Sequence, residues 1–212
     1  MRTRVKKVFL ISTVVLLTAV CIRIAYVNIS AQKPGIEEYG INETVYFEND
    51  FFEKADEQSN GYSLTVLNYG IIKTEDYAKK HNITLPDKPS EDDPNAHLYY
   101  IPEYIYEVEI KVKNTNNTET GLDFSQIRLI SSNIYLEVHD DIWMLLHPQL
   151  SGNKRLKLRE DSEANISLPY AVPYAFKDDS YVDLDILYNR EFVMSLSKYP
   201  TDKRILLCYK DR

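Results

Sequence analysis

Two kinds of hydrophobic pattern divide the chain. Residues 8–22 read VFLISTVVLLTAVCI, an unbroken uncharged run, and continuing through Arg23 to Val27 gives 20 residues. That length matches the roughly 30 Å a helix must cover to cross the hydrocarbon layer of a bilayer. After it, apolar residues come only in short stretches with polar interruptions. The clearest is YIYEVEIKVK (104–113), where Tyr104, Tyr106, Val108, Ile110 and Val112 fall on one face and Glu107, Glu109, Lys111 and Lys113 on the other. Period-two alternation predicts a half-buried strand with its charged face in water, the habit of an antiparallel sheet.

Further short strands are predicted at 44–47, 62–72, 122–124, 127–129, 135–138, 156–158, 164–168, 182–186, 192–196 and 204–208. Short strands at regular intervals with turns between them predict a mainly β, sandwich-like domain. Two short helices join them. Residues 74–81 start with Thr74 as a cap, carry Glu75 and Asp76 in the first turn, and end with Lys79 and Lys80, each sign matched to the helix dipole. Residues 140–147 begin with two acids and stop at Pro148. Residues 82–94, with three prolines and four acids, predict an exposed loop, as does the acidic stretch 48–61. NISAQKPGIEEYG (28–40) lacks periodicity and contains Pro34-Gly35, so it reads as a flexible stalk. The expected organisation is therefore a basic tail (1–7), a transmembrane signal-anchor helix (8–27), the stalk (28–40) and one β domain (41–212).

Charge adds a direction to this plan. Arg2, Arg4, Lys6 and Lys7 precede the apolar run with no acid among them, which predicts a cytoplasmic N terminus and an exported C-terminal domain. Arg23 would cost about 2.5–3.5 kcal/mol at mid-bilayer, but near the far end its long stem can reach the headgroups. Two alternatives stay open. Ser30-Ala31 offers a small-residue cleavage site for a secreted form, and Cys21 is a lipidation candidate, although branched Val20 stands where a small residue is preferred. Residues 31–212 carry 20 basic against 32 acidic side chains, a net of −12, with the two signs interspersed. Such a surface repels phosphate backbones, so a nucleic-acid partner is excluded. Cys21 and Cys208 make no disulfide framework, which leaves stability to the core.

Chemistry-bearing spacings are missing. His81, His97, His139 and His147 stand in no zinc-binding pattern, and no cofactor is expected. His139, Asp140, Asp141 and His147 would meet around a metal only if a turn folded them together, and a helix-end role is preferred. Neither a G-x-S-x-G turn nor a glycine-rich phosphate loop occurs. The acids at 91–93, 140–141, 178–179, 183 and 185 leave two further readings open: a calcium-binding or structural envelope module, and a carboxylate-dependent hydrolase. Asp183 and Asp185, alternating with Val182, Leu184 and Ile186, read as the water face of a strand. Among the clustered aromatics, Tyr104 and Tyr106 belong to the apolar face and the core, whereas Tyr99 and Tyr100 are the candidates for exposed contacts.

A strand ending in Lys113-Asn114, a polar turn, LDFSQIRL (122–129), LREDS (158–162) leading into ISLP (166–169), and the earlier segment 49–67 with Asp50-Phe51-Phe52 and NGYSL (60–64) form one succession. It resembles the DUF5028 family, uncharacterised immunoglobulin-like domains of exported Gram-positive bacterial proteins, and more loosely their DUF4352-like relatives. The resemblance implies an anchored or secreted immunoglobulin-like sandwich and supplies no activity. The expected function is non-enzymatic binding of a protein or cell-envelope component by a membrane-tethered domain.

Overall fold

The computed structural model describes residues 2–30, 34–54, 59–87, 101–132, 134–172 and 187–207. The chain forms two compact units, Met1–Pro34 and Gly35–Arg212. The first is helix α1, Arg2–Ser30, whose 29 residues run about 43 Å at the α-helical rise. Every residue from Ile11 to Asn28 is exposed, and this stretch is long and apolar enough to cross a membrane. A membrane anchor and a signal sequence both meet that description.

The second unit is mainly β. Its strands are β1 (Gly35–Tyr39), β2 (Thr44–Tyr46), β3 (Tyr62–Lys73), β4 (Tyr104–Asn114), β5 (Leu122–Asp123), β6 (Arg128–Ser131), β7 (Ile134–Leu136), β8 (Arg155–Leu156), β9 (Ser162–Ala171), β10 (Phe192–Ser195) and β11 (Thr201–Leu207). One open sheet has the order β1-β11-β10-β6-β7 and a second the order β2-β3-β4-β9, while β5 and β8 pair separately. All pairings are antiparallel except β1 with β11, where Gly35 faces Thr201 and Tyr39 faces Ile205.

The alternating residues of the two larger sheets meet in one core. Leu64, Val66, Tyr106, Val108, Ile110, Val112 and Leu168 come from one sheet, and Leu129, Phe192, Met194, Ile205 and Leu207 from the other. The rings of Tyr106 and Phe192 meet edge to face across the interface at 5.2 Å. Each fully buried aliphatic or aromatic side chain here contributes about 1.5–3 kcal/mol, which is how two sheets hold together without a cross-link. Tyr104 packs half-buried against this core and Tyr106 lies within it, as their register predicts. In β3 the register slips between Val66 and Asn68, and the bulge leaves Leu67 on the surface.

Three local expectations are corrected. The stretch read as a flexible stalk, 28–40, is narrowed from both sides: α1 continues to Ser30 and Gly35–Tyr39 form β1, while residues 31–33 lie outside the described residues. A lone edge strand is held by its distant partner, β11, and such pairing leaves little trace in local periodicity. Thr74 does not cap α2 (Thr74–His81): the N-cap is Lys73, and the buried Thr74 hydroxyl donates instead to the Pro102 carbonyl. Lastly, the charged face of β4 is only partly in water. Ile105 is fully buried on that face with Tyr77 of α2 and Ile142 of α3 (Asp140–Leu146), and Glu107 is 6% exposed beneath α2. The dipole-matched helix folds back on the sheet because Tyr77 and Ala78 give it an apolar underside. The expected strand 182–186, Cys208, and the candidate contacts Tyr99 and Tyr100 lie outside the described residues.

Candidate functional site

A cleft of about 320 Å³ opens beside the loop that follows β2. Its floor is apolar and drawn from the core: Phe47, Leu122, Ile127 and Leu196, all at most 3% exposed. Phe51 and Phe52, half-buried, form one wall. Polar side chains ring the mouth, among them Glu53, Lys54, Asp123, Gln126 and Arg155.

The Phe51 wall is positioned by a buried ion pair. Asp50 follows two bends after β2, and its carboxylate accepts the Glu48 amide at 3.2 Å and pairs with Lys203 of β11 at 2.7 Å. Both side chains are nearly sealed from water, at 2% and 5% exposure. Lys203 donates as well to the Tyr46 carbonyl at 2.6 Å, so one ammonium ties the first sheet to the end of β2 and to the loop. Ser59 donates to the Asp50 carbonyl at 3.1 Å and holds the loop from its other side. Phe51 then bridges to Tyr199: its amide donates to the Tyr199 carbonyl at 2.7 Å, and its carbonyl accepts the amides of Lys198 and Tyr199 at 2.9 and 3.0 Å. The two rings stack at 5.8 Å.

The facing wall is a turn organised by Asp123. Its carboxylate accepts the amide and hydroxyl of Ser125 at 2.9 and 2.6 Å and pairs with Arg155 of β8 at 3.1 Å. Burial pushes this carboxyl up, but the bonds from Ser125 and Arg155 outweigh it and hold the group below its ordinary value. Gly121 is required beside it, since a Cβ there would collide with the Leu156 carbonyl. The result is a mouth with two acids and two bases over an apolar floor. Such a surface can take an uncharged or amphipathic group by burial and orient it by hydrogen bonds. Among the described residues its lining holds no histidine or cysteine.

A second polar cluster lies under α2. Glu107 accepts from Lys80 at 2.7 Å and from Ser167 at 2.9 Å, and His81 Nε2 stands 2.7 Å from its carboxylate. Tyr77 and Ser167 share a 2.8 Å hydrogen bond beside it, and Lys80 also pairs with Glu109. Burial raises Glu107, yet the bonds from Lys80, His81 and Ser167 prevail and hold it below the ordinary glutamate range. Lys80 is raised because its bonds to Glu107 and Glu109 outweigh its burial. These groups satisfy one another, so the cluster fastens α2 to β4 and β9.

His139 and His147 take the two ends of α3. His139 Nδ1 accepts the Ile142 amide as the helix cap, and His147 closes the helix against the Trp143 ring at 4.2 Å. Eight residues of separation put them about 12 Å apart along the axis. They do not meet with Asp140, which pairs with Lys154 at 2.5 Å. Among the described residues no three His, Cys, Asp or Glu side chains gather in metal-binding geometry. The acidic groups at 91–93, 178–179, 183 and 185 lie outside the described residues.

Local pattern did not single out the cleft. Its one legible signal is Asp50-Phe51-Phe52, two adjacent aromatics within an otherwise acidic, turn-rich stretch. Asp123, Gln126 and Arg155 look like ordinary surface polar residues until β5 and β8 pair.

A mainly β domain of two open sheets, with a cleft at one end and an apolar N-terminal helix ahead of it, is the class of protein this fold defines. The family model described as a domain of unknown function, DUF5028, matches residues 36–203, most of the chain, and the protein belongs to that family. No curated protein and no solved structure matches the chain.

Proposed function

We propose that the protein is a membrane-tethered, extracytoplasmic binding module that holds a protein or cell-envelope component in the cleft between Phe52 and Arg155. The immunoglobulin-like topology, the Gram-positive setting and the retained anchor belong to the same reading. The basic tail ahead of α1 supports a cytoplasmic N terminus, with secretion after cleavage or lipidation at Cys21 as the competing fates. The cleft itself carries the functional part. An apolar floor with aromatic walls and a charge-balanced rim suits recognition, and the Asp123 carboxylate on that rim is already engaged by Ser125 and Arg155.

A photo-reactive residue at the exposed rim position Lys54, in the full chain in its native envelope, tests this. We expect one discrete adduct that is lost in Phe52→Ala and missing when the probe stands at the exposed position Tyr135 instead. Equal adducts at both positions, or none at Lys54, overturn the cleft as the binding site. Fractionation with N-terminal sequencing tests the tether, and intact chain in the cytosol would end that part of the reading.

A further inference from the structure

The end of the sandwich at which the chain arrives carries a built aromatic tip. Gly35 begins β1 and lies beside Thr201, which begins the parallel strand β11. The β10–β11 hairpin therefore turns at the end of the sheet where the chain enters. Its turn is firmly closed: Leu196 donates its amide to the Lys203 carbonyl at 2.9 Å, and the Ser197 hydroxyl donates to the Thr201 carbonyl at 2.8 Å. At the apex Lys198, Tyr199 and Pro200 are exposed, Tyr199 by 47%. The backbone bonds and ring stacking with Phe51 hold this tyrosine in place although no core contact buries it.

Only Ala31, Gln32, Lys33 and Pro34 separate the end of α1 from Gly35. That chain reaches at most about 18 Å, while the headgroup layer of one leaflet is about 5–7 Å thick. An end tethered this closely has its apex within reach of the bilayer surface. Tyrosine is a side chain the interface selects, with a ring for the acyl boundary and a phenol for water, and an adjacent lysine adds attraction to lipid phosphates.

We infer that Lys198, Tyr199 and Pro200 form a lipid-headgroup contact that seats this end of the domain on the bilayer. Because Phe51 and Leu196 belong both to this end and to the cleft, the ligand of the cleft is then met close to the membrane surface. The inference rests on α1 being retained as an anchor.

The test uses the full-length chain reconstituted into phosphatidylcholine–phosphatidylglycerol vesicles, some of whose lipids carry a nitroxide quencher on the headgroup. Native Trp143, fully buried, supplies a constant background. Tyr199→Trp is compared with Tyr135→Trp, an exposed position on the edge strand β7 next to the β6–β7 turn at the far end of the same sheet. The emission added at 199 is expected to fall about twofold or more, as for an interfacial aromatic, while that at 135 is unchanged. Lys198→Trp, at the same apex, gives the same reading should Tyr199→Trp fail to fold. Equal quenching at both ends, or none at the tip, in chains that float with the vesicles overturns this inference alone. Chains that do not float overturn the tether and this inference with it.

Discussion

Two carboxylates are buried among the described residues, and they are handled differently. Asp50 sits between the sheets with one cation, Lys203, and both are almost entirely dry. Glu107 sits outside the core, under a surface helix, and shares Lys80, His81 and Ser167, with the Lys80 side chain 40% exposed. A solitary dry pair is unforgiving, because removing one partner strands the other. A shared cluster open to water on one side loses a single bond at a time. The first arrangement shapes the cleft and the second only attaches a helix, so rigidity is concentrated where the candidate site is built.

The largest test of that contrast is Lys203→Met. It leaves the Asp50 charge buried without its cation and should cost about 3–5 kcal/mol in urea unfolding. Adding Asp50→Asn should recover part of the loss, since the stranded charge is gone, and a double-mutant cycle then isolates the pair itself. Glu107→Gln should cost less, about 1–2 kcal/mol, because its one amide oxygen can still accept from Ser167 while Lys80, which bonds the other carboxylate oxygen, keeps Glu109 as a partner. Equal losses at the two sites would erase the distinction between dry and shared burial.

The smallest effect is in the pH profile. Glu107 is held below its ordinary value, so its contribution is complete above about pH 4.3, where the unfolded carboxyl is ionised, and is lost as pH falls through the folded value. Burial, aided by the charge of His81, holds His147 below its ordinary value. The unfolded chain therefore binds that proton first, and a shallow decline in stability begins below about pH 6.5. Melting temperatures from pH 7 to pH 3 should show the gentle slope first and the steeper one after it. The gap between the wild type and Glu107→Gln should narrow only in the acid limb, and a gap constant down to pH 3 would show that the carboxylate charge plays no part there.

Legibility differed along the chain for physical reasons. Strand β4 and helix α2 announce themselves because their periodicities are local. Ile105, an apolar residue on the otherwise charged face of β4, is the one local sign that something covers that face. Strand β1 escaped notice because its hydrogen bonds go to residues more than 160 positions away. The cleft was hidden for the same reason: its walls are Phe51 and Phe52 from one loop and Asp123 and Arg155 from another pair of strands.

By itself the sequence determined the apolar helix, the β class of the domain, the inward face of its longest strands and the family. Each follows from the order of residues within a few turns or strand repeats, or from a succession of local landmarks. Only the tertiary structure decided that β1 closes the sheet edge beside β11, that Glu107 is covered, and that Asp50 finds Lys203. Those outcomes depend on which distant surfaces meet, and a buried charge looks like any surface charge until its partner arrives from the other sheet.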